Sequence, residues 1–190
     1  MSIKTQLQSL SEDDLRQKII MPLLFALGCG DVRDNCSPTE RGKDVIYVTR
    51  NHFLREKVWG AVLVKKTDIG KASLENINRQ LVEAINQFVD PDEPRNRVQL
   101  SEIIVMTSRT ITSEAAEYIH SQSGKNFQNI HLINGDRMDF LVNKIIVEIN
   151  QKNGGQYTFN VETFGDFCGR TFTNPQNAVS AGENAGEVIT

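Results

Sequence analysis

Two short segments hold the residues best suited to chemistry: Glu40-Arg41-Gly42-Lys43-Asp44 and, about twenty residues on, Leu63-Val64-Lys65-Lys66. A carboxylate and a lysine at adjoining strand ends suit metal-assisted hydrolysis of a phosphodiester. Asp44 would hold Mg²⁺ or Mn²⁺, whose charge stabilises the five-coordinate phosphate transition state and acidifies a bound water. Lys65 would orient that water or neutralise charge building on the phosphate. Leu63 and Lys65, two apart on a strand, share a face, so Lys65 rather than Lys66 takes that role. The Val64 carbonyl, at the strand edge, is a neutral oxygen ligand. The same Asp44–Lys65 pair also fits an ordinary cross-strand ion pair, worth under about 1 kcal/mol when exposed. On these residues alone both readings stand.

Local charge bears on the choice. The 190-residue chain carries a net charge of −3, which argues against a protein that coats nucleic acid by charge alone. The stretch 41–71, however, holds eight basic residues against three acidic, so it carries +5 and the rest of the chain −8. Lys43, Lys66 and Lys71 in that stretch, with Arg109 beyond it, are candidate contacts to a phosphate backbone, which position a duplex without reading its sequence.

Other chemistries find less support. Cys29, Cys36 and Cys168 are odd in number and form no CxxC pair, so a disulfide framework is not expected and a reducing cytoplasm fits best. His52, His120 and His131 fall in unrelated segments without zinc-ligand spacing. No GxSxG elbow, GxGxxG or GxxxxGK[ST] loop is present. The longest apolar run, Ile19 to Leu27, is too short to span a bilayer and contains Pro22, and the N-terminus lacks the apolar core of a secretory signal. No membrane partner is expected.

The elements that must position Asp44 and Lys65 follow from periodicity. Ser11-Glu12-Asp13-Asp14 reads as a helix cap with an acidic first turn, and Leu15, Ile19, Ile20, Leu23, Leu24 and Leu27 continue at helical spacing, with a kink or break at Pro22. Asp44–Arg50 and Trp59–Lys65 predict an antiparallel hairpin, with Asp44 beside Lys65 if it is symmetric. A helix from Leu74 to Phe88, a buried strand from Glu102 to Thr107, a helix from Thr112 to about Ser121, a strand from Asn129 to Ile133 and a helix from Asp136 to Ile149 follow. The order predicts an α/β sandwich whose mixed sheet joins the antiparallel hairpin to two parallel strands. After Asn150, Tyr157, Phe159 and Val161 alternate with polar residues as one further strand would, and from Asn174 the chain reads as a flexible tail or linker.

In order and spacing, residues 11–147 resemble the Mrr-like branch of the restriction-endonuclease-like, or PD-(D/E)XK, nucleases. The features that carry the resemblance are Gly42-Lys43-Asp44-Val45-Ile46 at a strand start, Leu63-Val64-Lys65 at a strand end, Met106-Thr107-Ser108, Thr112-Ser113-Glu114-Ala115, and Ile133-Asn134-Gly135-Asp136 before the last helix. The resemblance implies an α/β fold with a restriction-endonuclease-like core: a mixed central β-sheet flanked by helices, in a nuclease domain over 1–150. An aromatic, Gly-rich extension and tail follow over 151–190. It implies Asp44 as the metal-binding Asp and Lys65 as the catalytic Lys. Glu40 resembles an acidic position ahead of the Asp in some relatives, and Gln80 a Gln on the helix after the lysine strand, though Gln80 equally suits a solvent-facing helical position. Glu12 matches a further carboxylate in the first helix, though a first-turn helix charge is the more ordinary role for it.

Leu63 departs from the family pattern, which has Asp, Glu or Gln there. Either Glu40 or Glu12 supplies the missing oxygen, or the site is weakened. The expected function is that of a Mg²⁺- or Mn²⁺-dependent endonuclease of double-stranded DNA, serving bacterial defence against foreign DNA and dimerising if it cuts both strands. The alternative is a weak or inactive nuclease-fold module that binds DNA or a partner protein, in part through its C-terminal aromatic segment. Either could be one part of a larger effector with a fused sensor domain.

Overall fold

The computed structural model describes residues 1–35, 43–50, 57–85, 88–89, 95, 97–126 and 129–172. The chain opens with α1 (Ile3–Ser9), then α2 (Glu12–Asp14), a π-helical stretch (Leu15–Ile20) and α3 (Met21–Ala26). An edge strand β1 (Gly30–Asp34) precedes β2 (Val45–Arg50) and β3 (Lys57–Lys65). After a 3₁₀ turn (Lys71–Ser73) come α4 (Leu74–Ile85), the two-residue strands β4 (Phe88–Val89) and β5 (Arg97–Val98), and β6 (Glu102–Thr107). The chain continues through α5 (Ser113–Asn126), β7 (Ile130–Ile133), α6 (Gly135–Asn153) and α7 (Val161–Thr171).

The fold is mixed α/β. One five-stranded sheet has the order β1-β2-β3-β6-β7, and β4 pairs only with β5. β1, β2 and β3 run antiparallel, whereas β3, β6 and β7 run parallel. Parallel neighbours need crossovers, and α4 and α5 supply them. Among the described residues, no helix is long and apolar enough to cross a membrane.

Strand alternation divides the apolar residues between two cores. Val45, Tyr47, Val62, Val64 and Met106 face a core shared with α1–α3, α6 and α7. Ile46, Val48, Ala61, Leu63 and Val105 face the other, closed by α4 and α5. Across the first core the Tyr47 ring lies over Gly60, where a Cβ would come within 2.3 Å of the ring. The Tyr47 hydroxyl donates to Glu102 Oε1 at 2.7 Å. Burial, reinforced by that carboxylate, pushes the phenol well above its ordinary pKa.

The first helix runs through Pro22 without a break. Met21 donates its N–H to the carbonyl of Arg16, five residues back, and Pro22 falls in the first turn of α3. The wider π turn places the residue lacking an N–H where an α-helix tolerates it. The strand expected from Tyr157 to Val161 is absent: Tyr157 to Asn160 lead into α7, which begins at Val161 and which Asn160 caps by accepting from the Glu162 N–H. Phe164 and Cys168, four apart, bury one face of α7 in the first core, and this helical spacing overrides the short alternation before it. Residues from 173 onward, expected as tail or linker, lie outside the described residues.

Candidate active site at the end of β3

Asp44 immediately precedes β2, where the ladder with β3 runs out. Its N–H donates to the Val62 carbonyl at 3.0 Å, and its carbonyl accepts from the Asn35 N–H at 3.0 Å. Its Oδ2 accepts from the Val64 N–H at 2.6 Å. The side chain therefore takes the place a ladder carbonyl would have had. Asn35 also donates from Nδ2 to the Lys43 carbonyl at 2.8 Å, fastening the chain on both sides of the Lys43–Asp44 peptide. Asp44 is only 6% exposed.

The hairpin is not symmetric about Asp44 and Lys65. Val45 pairs with Val62 and Arg50 with Lys57, so Asp44 lies level with Val62–Val64 and Lys65 extends beyond it. β3 begins at Lys57, two residues earlier than Trp59, because pairs such as Val48 with Trp59 and Tyr47 with Gly60 set the register through their packing.

Glu12, from α2, reaches the same strand end. Leu7 and Leu15, both fully buried, seat the N-terminal helices, and Glu12 Oε2 accepts from the Lys66 N–H at 3.2 Å. The two carboxylates thus cap the backbone amides on either side of Lys65. Two residues along an extended strand span ~7 Å, and alternate amides point to the same edge. The Val64 carbonyl projects from the edge its own N–H occupies, the edge that Asp44 caps.

Beyond Lys65 two loops are stitched together. Thr107, paired with Lys65, donates from Oγ1 to the Thr67 carbonyl at 2.9 Å and accepts from the Arg109 N–H at 3.0 Å. Asp68 Oδ1 accepts from the Thr110 N–H at 3.0 Å and from the Thr110 hydroxyl. These bonds, helped by the nearby Arg109 charge, hold the Asp68 carboxyl below its usual pKa. Lys66 and Lys71 are exposed and Lys65 half-buried. Arg109 is also half-buried, and its Nη2 donates to the Gln8 carbonyl at 3.4 Å.

The structure brings together Asp44, Val64, Lys65, Lys66 and Glu12. Lys43 is a correction: expected at a phosphate, it is 1% exposed. It lies beside Asp44 just before β2, its carbonyl accepting from Asn35, and its burial leaves no accessible ammonium. Glu40 lies outside the described residues. Gln80 sits on α4 with Oε1 buried and without a hydrogen-bond partner among the described residues. Leu63 is fully buried in the α4/α5 core and offers no oxygen. Asn35, Asp68 and Thr110, which organise the site, escape sequence reasoning because their bonds join distant loops. Arg16 and Asp34, an ion pair across two elements, escape it too, although the Asp13/Arg16 spacing of three on a helix was a usable signal for one of the partners of Arg16.

The donor set decides what could bind. Among the described residues, no group of three or more His, Cys, Asp and Glu is gathered as for a metal ion. Asp44, Glu12 and the Val64 carbonyl would offer a cation oxygen donors alone, the chemistry that a hard ion such as Mg²⁺ prefers and not the nitrogen and sulfur set of most zinc sites. Thiol nucleophiles find no support at Cys29 or Cys168, whose pKa values burial pushes up to about 12.

No family model matches the chain, and no curated protein is significantly similar to it. Among solved structures it is similar to the MspJI restriction endonuclease in complex with a 27-mer oligonucleotide, with 16% identity, a TM-score of 0.40 and 93% of this chain covered. The chain spans 35% of the length of that protein.

Proposed function

We propose that the protein is a metal-dependent DNA endonuclease of the restriction-endonuclease-like, Mrr-like type, acting in defence against foreign DNA. The observation that carries this reading is the docking of Asp44 and Glu12 on the amides flanking Lys65. Asp44, Glu12 and the Val64 carbonyl would hold Mg²⁺ or Mn²⁺, and Glu12 stands in for the oxygen that Leu63 does not provide. Bound there, the ion supplies charge to the transition state and an acidified water. Lys65 orients the attacking water and neutralises charge on the scissile phosphate. Lys66, Lys71 and Arg109 contact phosphates of the backbone, and no side chain is acylated or phosphorylated. Plasmid cleavage in Mg²⁺ tests the reading: Asp44→Ala and Lys65→Ala are expected to lose at least ~100-fold in rate. Undiminished cleavage by Asp44→Ala would sink it.

A second reading, a nuclease-fold module that binds DNA or a protein without cutting, draws on Leu63, a fully buried hydrocarbon side chain where an oxygen ligand would be needed. Calorimetric titration separates the two. Binding of Mg²⁺ or Mn²⁺ that requires Asp44 supports the enzyme, and no binding up to millimolar ion supports the module.

A further inference from the structure

Arg16 is the one arginine among the buried residues of the described chain, 4% exposed, in a helical stretch whose other buried members are Leu15, Ile19 and Ile20. Its Nη2 lies 3.0 Å from Asp13 Oδ1. Its Nε lies 3.1 Å from Asp34 Oδ1, at an angle that makes an ion pair rather than a hydrogen bond. Gln17 Nε2 adds a bond to Asp34 Oδ2 at 3.2 Å. Asp13 adjoins Glu12 on the same turn. Asp34 ends β1 opposite Val45, the residue after Asp44, and the next residue, Asn35, bonds the backbone of both Lys43 and Asp44.

One guanidinium therefore joins the turn that carries Glu12 to the strand end that fixes Asp44. For stability alone, well-packed apolar side chains serve as well as a buried ion pair or better, and apolar neighbours already surround this position. What an apolar residue could not do is hold two separate elements at a set distance through a planar two-pronged cation. By contrast, the Lys18 pairs with Asp14 and Glu162 are exposed and make weak fasteners.

We propose that Arg16 is a positioning residue that sets the separation of the Glu12 and Asp44 carboxylates before any ion arrives, an inference that rests on the metal-assisted reading above. Preorganised carboxylates bind a cation without first ordering themselves. The test counts bound Mn²⁺ on the full chain from loss of the free-ion electron paramagnetic resonance signal, with thermal unfolding followed separately by circular dichroism. Well below each variant's melting temperature, Arg16→Gln and Asp34→Asn are expected to weaken Mn²⁺ binding at least tenfold. Arg16→Lys, which keeps the charge but not the fork, should fall between them and wild type. If the folded variants bind within twofold of wild type, Arg16 is only a structural residue and the inference is overturned while the metal site stands. If wild type itself binds no Mn²⁺ at millimolar concentration, the metal reading and the inference fall together. Should Arg16→Gln not fold, Asp34→Asn, altered at a side chain about one-third exposed, carries the test.

Discussion

At the scale of single residues, Asp44 serves structure and chemistry through different properties of one carboxylate. Its Oδ2 satisfies the buried Val64 N–H, which needs an acceptor, and metal binding needs a charge. The two separate by substitution. Asp44→Asn keeps an acceptor oxygen and is expected to stay within about 1 kcal/mol of wild-type stability while losing metal binding. Asp44→Ala leaves the amide unpaired and should cost about 1–3 kcal/mol more, read from urea unfolding. Equal stability of the two variants would show that the bond to Val64 does not matter. Leu63 shows the opposite division: it is committed to the α4/α5 core, and the site gains nothing from it.

At the scale of elements, two arrangements set the site's geometry. The register of β2 on β3 depends on the packing of Tyr47 over Gly60. Gly60→Ala forces a methyl into the ring, so it is expected to destabilise by about 1–3 kcal/mol. In a double-mutant cycle with Tyr47→Leu most of that loss should disappear; simple additivity would mean that the ring is not the obstacle.

The second arrangement is the brace between the loops after β3 and β6. The Asp68 carboxyl is held below its ordinary value of 3.8 by Thr110. Its bond therefore contributes fully above that value and is lost as pH falls through the lower, folded pKa. The Thr110 amide shift, followed by nuclear magnetic resonance, should titrate with a midpoint below 3.8. A midpoint at or above it would place Asp68 outside the brace.

At the scale of the whole molecule, the sheet separates two cores, and the candidate site lies at the end of β3, where α2 reaches the strand end. Positive charge is concentrated in the sequence that carries this strand end: the +5 stretch over 41–71 contains both Lys65 and the exposed Lys66 and Lys71. Each phosphate contact releases counterions, so Lys66→Ala and Lys71→Ala should each flatten the slope of log affinity for duplex DNA against log salt by about 1. Unchanged slopes would remove these lysines from the interface.

Much of this was legible in the chain. β-branched and aromatic content specified β2 and β3, a short apolar run specified β6, helical spacing specified α4 as far as Ile85, and the spacing of Asp44 and Lys65 pointed to one strand end, because period and propensity are local properties. β1 was not legible: Gly30-Asp31-Val32-Arg33-Asp34 is a polar, bulged edge strand without alternation. The register was not either, since a two-residue slip preserves every alternation and only the fit of Tyr47 against Gly60 distinguishes the options.

The sequence by itself thus determined the order of the central elements, from the hairpin β2–β3 through α4, β6, α5 and β7 to α6, and the residue types offered for chemistry. The tertiary structure decided which of them meet. It buried Lys43, turned Leu63 into the core, and brought Glu12 to Lys66 across 54 residues of chain. Contacts between residues so far apart depend on how two faces of a sheet are covered, and no local pattern encodes that.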